Sequence, residues 1–301
     1  MSRRPDLSVP RVMGILNATP DSFSDAGRYP DLDSRVERGL ELLANGADVL
    51  DIGGESGVTN RPPVGASEEI DRVVPLTKRL VAEHGASISV DTYKSVVARA
   101  AIAAGAAMVN DPSGLIDPGV GEICGETGAA LVITHTRAMP KQKLHRPRYD
   151  DVVDDVKQLF GERIERAHSL GVHDDQIVLC PGPDMGKNPA QTIELLRRLG
   201  EVAEMGYPLM LSVSRKDFIG ALTERRPRER LAGTLAAVAH GLDAGGRLLR
   251  VHDVAEVRDF LKVRAALRGE LEIDEDLLLD EALRWESPPQ EAHSATANEQ
   301  G

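Results

Sequence analysis

The 301-residue chain sets 36 Lys and Arg against 48 Asp and Glu, a formal net charge of -12, and holds one Trp, four Tyr and four Phe. So acidic and ring-poor a chain lacks the basic groove and stacking platforms of a nucleic-acid binder, and its 41% hydrophobic residues exclude global disorder. Two cysteines, Cys124 and Cys180, are too few for a disulfide framework and have no metal-ligand spacing. No apolar run reaches membrane-spanning length, and the opening MSRRPDLSVPRV has no apolar core, so a cytoplasmic protein without membrane contact is expected.

Along the chain, eight short aliphatic runs alternate with amphipathic stretches. The strands expected are VMGIL from Val12, DVLDI from Asp48, SISVD from Ser87, AMVN from Ala107, LVITH from Leu131, IVLCP from Ile177, PLMLSVS from Pro208 and RLLRV from Arg247. Their near-continuous apolar character suits parallel strands covered on both faces. Helix signals lie between them. Ser34 with Glu37 reads as a capping box before Val36, Leu40 and Leu43. Asn188, Pro189 and Gln191 read as an N-cap, a first-turn proline and the return acceptor. Leu231, Leu235, Val238 and Leu242 mark one face of a helix around 229–244.

Eight such units within about 260 residues predict a (β/α)8 TIM barrel over 11–269, after a lead-in at 1–10; a doubly wound open sheet is the alternative. From Glu270 onward ten acidic residues accompany one basic residue, Arg284, so most of the net charge belongs to an acidic C-terminal tail, 270–301. Leu271, Leu278 and Trp285 stand seven apart and suggest a helix there, followed by disorder after Ser287.

In a barrel the loops after the strands share one face, and the active site lies on it. The expected strand ends deliver Asn17, Asp51, Asp91, Asn110-Asp111, His135, the run CPGPDMGK, Ser214-Arg215-Lys216 and Arg250-Val251-His252 to that rim. Any one of these alone reads as a helix cap or a surface ion pair; a polar group on every strand does not. Asp91 and Asn110 offer a carboxylate and an amide suited to the edge of a flat, nitrogen-rich heterocycle. Lys216, Arg250 and His252 come from strands 7 and 8, where barrels often hold phosphate. Asn17 is a neutral oxygen ligand able to share Mg2+ with a pyrophosphate. Cys124 reads as a small core residue, and no base is specified near Cys180 to make it a nucleophile. His84, His168 and His173 lie away from the rim. The ranks of Asp51, Glu55 and Asp111 stay open.

MGILNATPDSFSDAGRY (13–29) and DVLDIGGES (48–56) closely resemble the two signatures of dihydropteroate synthases. SVDTYKSVVARAAIAAGA (89–106), MVND (108–111), SRKDFIG (214–220) and RVHDV (250–254) match further stretches in order, so the resemblance covers about residues 11–268. It implies a TIM-barrel transferase, commonly a homodimer, that joins 6-hydroxymethyl-7,8-dihydropterin pyrophosphate to 4-aminobenzoate and releases pyrophosphate on the way to folate. By the same resemblance Asp91 and Asn110 grip the pterin, and Lys216 reaches both substrates. Arg250, His252 and Asn17 hold the pyrophosphate and Mg2+. Asp25 and Phe23 close over the site, Arg61 and Pro62 enclose the aminobenzoate, and Ser214 lines the substrate pocket.

The chain departs from the family pattern in three places. After strand 6 the family's D-P-G-x-G-F-x-K becomes Cys180-Pro181-Gly182-Pro183-Asp184-Met185-Gly186-Lys187. A thiol thus replaces the pterin-binding carboxylate, with Asp184 a candidate substitute, and Met185 replaces a wall Phe. The second loop is longer, with Gly57-Val58-Thr59-Asn60 before Arg61, and Thr134 stands for the Met of M-H-x-R. These changes fall on the pterin and arylamine pockets. They leave two competing readings: a paralogue without synthase activity, and a pterin-dependent methyltransferase, which would need no pyrophosphate clamp.

Overall fold

The computed structural model describes residues 4–19, 31–57, 62–142, 144 and 147–284. Eight parallel strands close into a barrel in the order β1 to β8: Arg11–Asn17, Val49–Gly53, Ile88–Asp91, Met108–Asp111, Ala130–Thr134, Ile177–Cys180, Leu209–Leu211 and Gly246–Val251. Each of the eight expected runs supplies one strand, and β1 pairs with both β2 and β8, which excludes the open sheet. The strands β2, β4, β5, β6 and β7 are buried at every position, as the continuous apolar runs require. Met13, Val49, Met108, Val132, Val178, Met210 and Leu248 fill the barrel with Cys180 among them. Full burial of such a side chain contributes about 1.5–3 kcal/mol each.

The helices are α1 (Leu32–Ala44), α2 (Ala66–His84), α3 (Ser95–Ala103), α4 (Pro118–Thr127), α5 (Val152–Ser169), α6 (Pro189–Arg197), α7 (Leu199–Ala203), α8 (Asp217–Thr223), α9 (Leu231–Asp243) and α10 (Val254–Leu267). The box at Asn188 and Gln191 caps α6 as expected. Helix α1 begins earlier than the Ser34–Glu37 signal indicates: the Asp31 carboxylate accepts from the Ser34 backbone N–H at 2.8 Å and takes the cap. On α9, Thr234 and Gly241 join Val238 and Leu242 on the buried face, while Leu231 and Leu235 are half-buried. No described helix is long and apolar enough to cross a membrane.

The chain divides into two units between Phe260 and Leu261. In the second, residues 271–284 form no α-helix, only a 3-10 turn at Glu281–Leu283. Asp274 and Asp280 turn back to accept from the N–H groups of Asp276 and Ala282, each at 2.9 Å, a local bonding that competes with helix. Trp285 lies outside the described residues.

Candidate active site

Strands β2, β3 and β4 end side by side, with Gly53 paired to Asp91 and Asp91 to Asn110. From across the barrel Arg250, on β8, extends its guanidinium between two of their acids. Its Nε donates to Asp51 Oδ2 at 2.6 Å and its Nη2 to Asp91 Oδ2 at 2.7 Å. Asn110 Nδ2 donates to the same Asp51 oxygen at 3.0 Å. Asp51 is fully buried and thereby fixes both the arginine and the amide. Burial pushes the Asp91 carboxyl up and Asp51 adds to it, against the pull of Arg250. The guanidinium, between two acids, is pushed further up.

The other two carboxylates left unranked hold loops. Burial pushes Asp111 up to about 6, and its oxygens accept from Ser113 N, Ser113 Oγ and Leu115 N, closing the turn after β4. Glu55 receives Lys94 Nζ at 2.6 Å and the N–H of Val64 at 3.1 Å, tying the second loop to the third. Asp51 is thus the site residue that sequence reasoning left unresolved. Its signal was present: an ionisable residue inside an otherwise apolar strand has a buried partner.

Strands β7 and β8 bring the cations. Lys216 stands as the N-cap residue of α8, half-buried, and desolvation pulls its ammonium down, with Arg250 repelling it and Asp184 acting in the opposite sense. Ser214 Oγ lies 2.9 Å from His252 Nδ1 and accepts the His252 backbone N–H at 3.2 Å. The Ser214 hydroxyl thus fixes the imidazole ring through Nδ1. Desolvation first, then Arg215, Arg250 and Lys216, lower His252 to about 3. Arg215 itself is held by Asp253, with Nε to Oδ2 at 3.0 Å.

Cys180 is 1% exposed at the end of β6, paired in register with Thr134 of β5, whose side chain bonds the thiol. Burial pushes the thiol up, so the group where a carboxylate was expected is neutral. Asp184 does not replace it. Its Oδ1 accepts from Thr192 Oγ1 at 3.0 Å and its Oδ2 from Phe218 N at 3.2 Å, so the carboxylate braces the loop against α6 and α8. Met185 is half-buried on the same loop. Cys124 is buried within α4, its thiol pushed up to about 12 by desolvation, in keeping with a core role.

Asn17 closes β1, half-buried and paired with Gly53. Among the described residues no three His, Cys, Asp or Glu side chains converge as a metal site. Pro62 is exposed, and Phe23, Asp25 and Arg61 lie outside the described residues.

A model of the family described as pterin binding enzyme matches residues 13–252, from β1 to the end of the site. The dihydropteroate synthase of Escherichia coli (strain K12) is 39% identical over 258 residues, covering 86% of this chain and 92% of its own. The barrel superposes on the Yersinia pestis dihydropteroate synthase, solved with a sulfonamide drug complex, with a TM-score of 0.83 at 38% identity, over 89% of this chain and 97% of that one. The Xanthomonas albilineans dihydropteroate synthase solved with 4-aminobenzoic acid gives 0.81 at 42% identity, over 87% and 94%. Likeness of this extent, in sequence and in structure and across the entire barrel, makes the chain a member of the pterin-binding enzymes and of their dihydropteroate synthase family.

Proposed function

We propose that the chain is an active transferase that joins 6-hydroxymethyl-7,8-dihydropterin pyrophosphate to 4-aminobenzoate and releases pyrophosphate. The carrying observation is the placement of a hydrogen-bonding acid–amide row on β2 to β4, held by Arg250 of β8, beside Lys216 and His252, which follow β7 and β8. Asp91 and Asn110 read the pterin edge, with Asn110 oriented by Asp51. Ser214 orients His252, which faces an anion together with Lys216 and the donors of Arg250 beyond those on Asp51 and Asp91. By the family resemblance, Met185 and Pro62 are assigned to the arylamine side.

As the methylene C–O bond breaks, its electron pair leaves with the pyrophosphate, and the pterin spreads the positive charge over its ring. The amine nitrogen then bonds to the methylene carbon and one proton is released. Lys216, Arg250 and His252 meet the charge as it develops on the leaving oxygen. The single amide oxygen of Asn17 fits Mg2+, which takes few protein ligands and fills its shell with phosphate and water oxygens. Asn17 would hold the ion, which supplies further neutralisation of the pyrophosphate. The test is release of pyrophosphate by purified protein given both substrates and Mg2+; a folded protein that releases none overturns the reading. A homodimer is the assembly proposed, on the resemblance alone, and sedimentation velocity tests it.

A second reading, favoured by Cys180, is a paralogue that binds a related ligand without turnover. Replacing a charged acceptor with a thiol removes about 1.5–3 kcal/mol of pterin binding. If Cys180→Asp brings no gain in pterin affinity, the natural ligand has a different edge. The methyltransferase reading lacks this support: the relatives described above are synthases, and the cations on β7 and β8 suit a pyrophosphate.

A further inference from the structure

The loop between β6 and α6 walls the site, and an interior ammonium holds its main chain. Lys187, 6% exposed, directs Nζ to His135 Nδ1 at 2.7 Å, Gly182 O at 3.0 Å and Met185 O at 3.3 Å. His135 is fully buried, and its Nε2 meets Asp155 Oδ1 at 2.8 Å; that oxygen also receives Arg137 Nε at 2.9 Å. An ammonium only donates, so His135 Nδ1 accepts and the imidazole proton sits on Nε2, given to Asp155. The order carboxylate, neutral imidazole, ammonium, two carbonyls is then fully determined, and three donors meet three acceptors.

The loop has little freedom to take another path around this anchor. Gly182 has φ +65°, and a Cβ there would stand 2.1 Å from the His135 carbonyl oxygen, so the loop lies directly on the end of β5. Tyr149 donates its hydroxyl to Gly186 O at 2.8 Å, and Asp184 secures the outer half.

We infer that Lys187, seated by His135 and Asp155, is a positioning residue for the reaction: it fixes the carbonyls of Gly182 and Met185 so that the wall carrying Cys180 and Met185 is formed before the substrates arrive. The inference rests on the transferase reading for its kinetic part only. Protonation is built into it. Burial draws Lys187 down to about 7, Lys216 repels it, and Cys180 and Asp184 act in the opposite sense. His135 stays neutral throughout, lowered to about 2 by desolvation and then by Lys187 and Arg137. Once Lys187 loses its proton, two donors serve three acceptors, so one of the contacts that anchor the loop, to the imidazole or to a carbonyl, is lost.

The test compares the full chain with Lys187→Met and Asp155→Asn by steady-state kinetics and by hydrogen exchange of residues 181–188 near pH 6 and pH 8. In the parent, exchange of this segment beyond the intrinsic chemical increase rises from pH 6 to pH 8. Lys187→Met is expected to raise KM for the pterin substrate about tenfold with kcat within about threefold, which marks lost positioning and not lost chemistry. Its segment exchanges about tenfold faster at both pH values, and the protonation-linked rise disappears. Asp155→Asn admits the other imidazole tautomer, whose Nδ1–H opposes the ammonium, so loosening sets in at lower pH. Parent-like exchange in a folded Lys187→Met overturns the inference, as does a loosened loop with parent-like KM in an active enzyme. If Lys187→Met does not fold, an unmoved onset in Asp155→Asn overturns it. Exchange needs no turnover, so a chain that releases no pyrophosphate refutes the transferase reading, while the loop measurement still decides whether Lys187 anchors the wall.

Discussion

On the side built by β2, β3 and β4, the carboxylates of Asp51 and Asp91 share the Arg250 guanidinium and Asn110 is already turned by Asp51. On the side built by β7 and β8, desolvation draws Lys216 down, against the pull of Asp184 and Asp217, and lowers His252 to about 3. The first half is organised by charges hydrogen-bonded to one another; in the second, desolvation disfavours the charged forms of Lys216 and His252, which an arriving anion would favour. Neutral recognition and charge stabilisation are thereby separated within one rim, and Arg250 is the residue common to both.

Removing the organiser breaks the comparison most severely. Asp51→Ala leaves Arg250 and Asn110 without their shared acceptor, and a broken buried pair costs about 3–5 kcal/mol, read as a lower urea midpoint at unchanged slope. On the opposite side, Lys216→Ala should leave stability near that of the parent and lower kcat for pyrophosphate release about a hundred- to a thousandfold. Similar stability losses in both variants would show that the two halves are not distinct. On β6, Cys180→Asp adds a charged acceptor for the pterin and should tighten pterin binding about ten- to a hundredfold by calorimetry, with little change in pyrophosphate affinity.

The smallest effect concerns protons. His252 is held neutral, below its ordinary 6.5, so its contribution to stability is complete above that value and is lost as pH falls toward about 3. A bound pyrophosphate reverses the local field and raises the imidazole again. Binding near pH 6 should therefore take up a fraction of a proton, measured by calorimetry in buffers of different ionisation enthalpy, and His252→Asn should reduce that uptake.

The barrel was legible because eight apolar runs with polar ends have few other arrangements; of the polar ends, Asp91 and Asn110 stand at the ends of β3 and β4, His252 directly follows β8, and Lys216 stands five residues beyond β7. Three features were not. Asp31 displaced Ser34 as the cap of α1 because its carboxylate accepts the Ser34 backbone N–H, which puts Ser34 inside the first turn. The leucine spacing in the tail suggested a helix, but its aspartates bond their own backbone. The Lys187–His135 contact joins residues 52 apart in the chain, and nothing local announces it. Cys180 was visible as a departure from the family motif, yet only the structure shows that Asp184 is engaged elsewhere and Thr134 is its neighbour.

Gly182 also determines where this site is able to vary. Its positive φ and the carbonyl of His135 beneath it forbid a side chain there, and the three acceptors around Lys187 fix a second point five residues on. Between and beside these two points stand Cys180, Pro183 and Met185, whose backbone course is already determined. Randomised libraries or natural drift therefore have room to exchange the chemistry of the wall without refolding it. That Cys180 and Met185 both depart from the family motif, inside a barrel otherwise shared with its relatives, is the pattern such confinement produces.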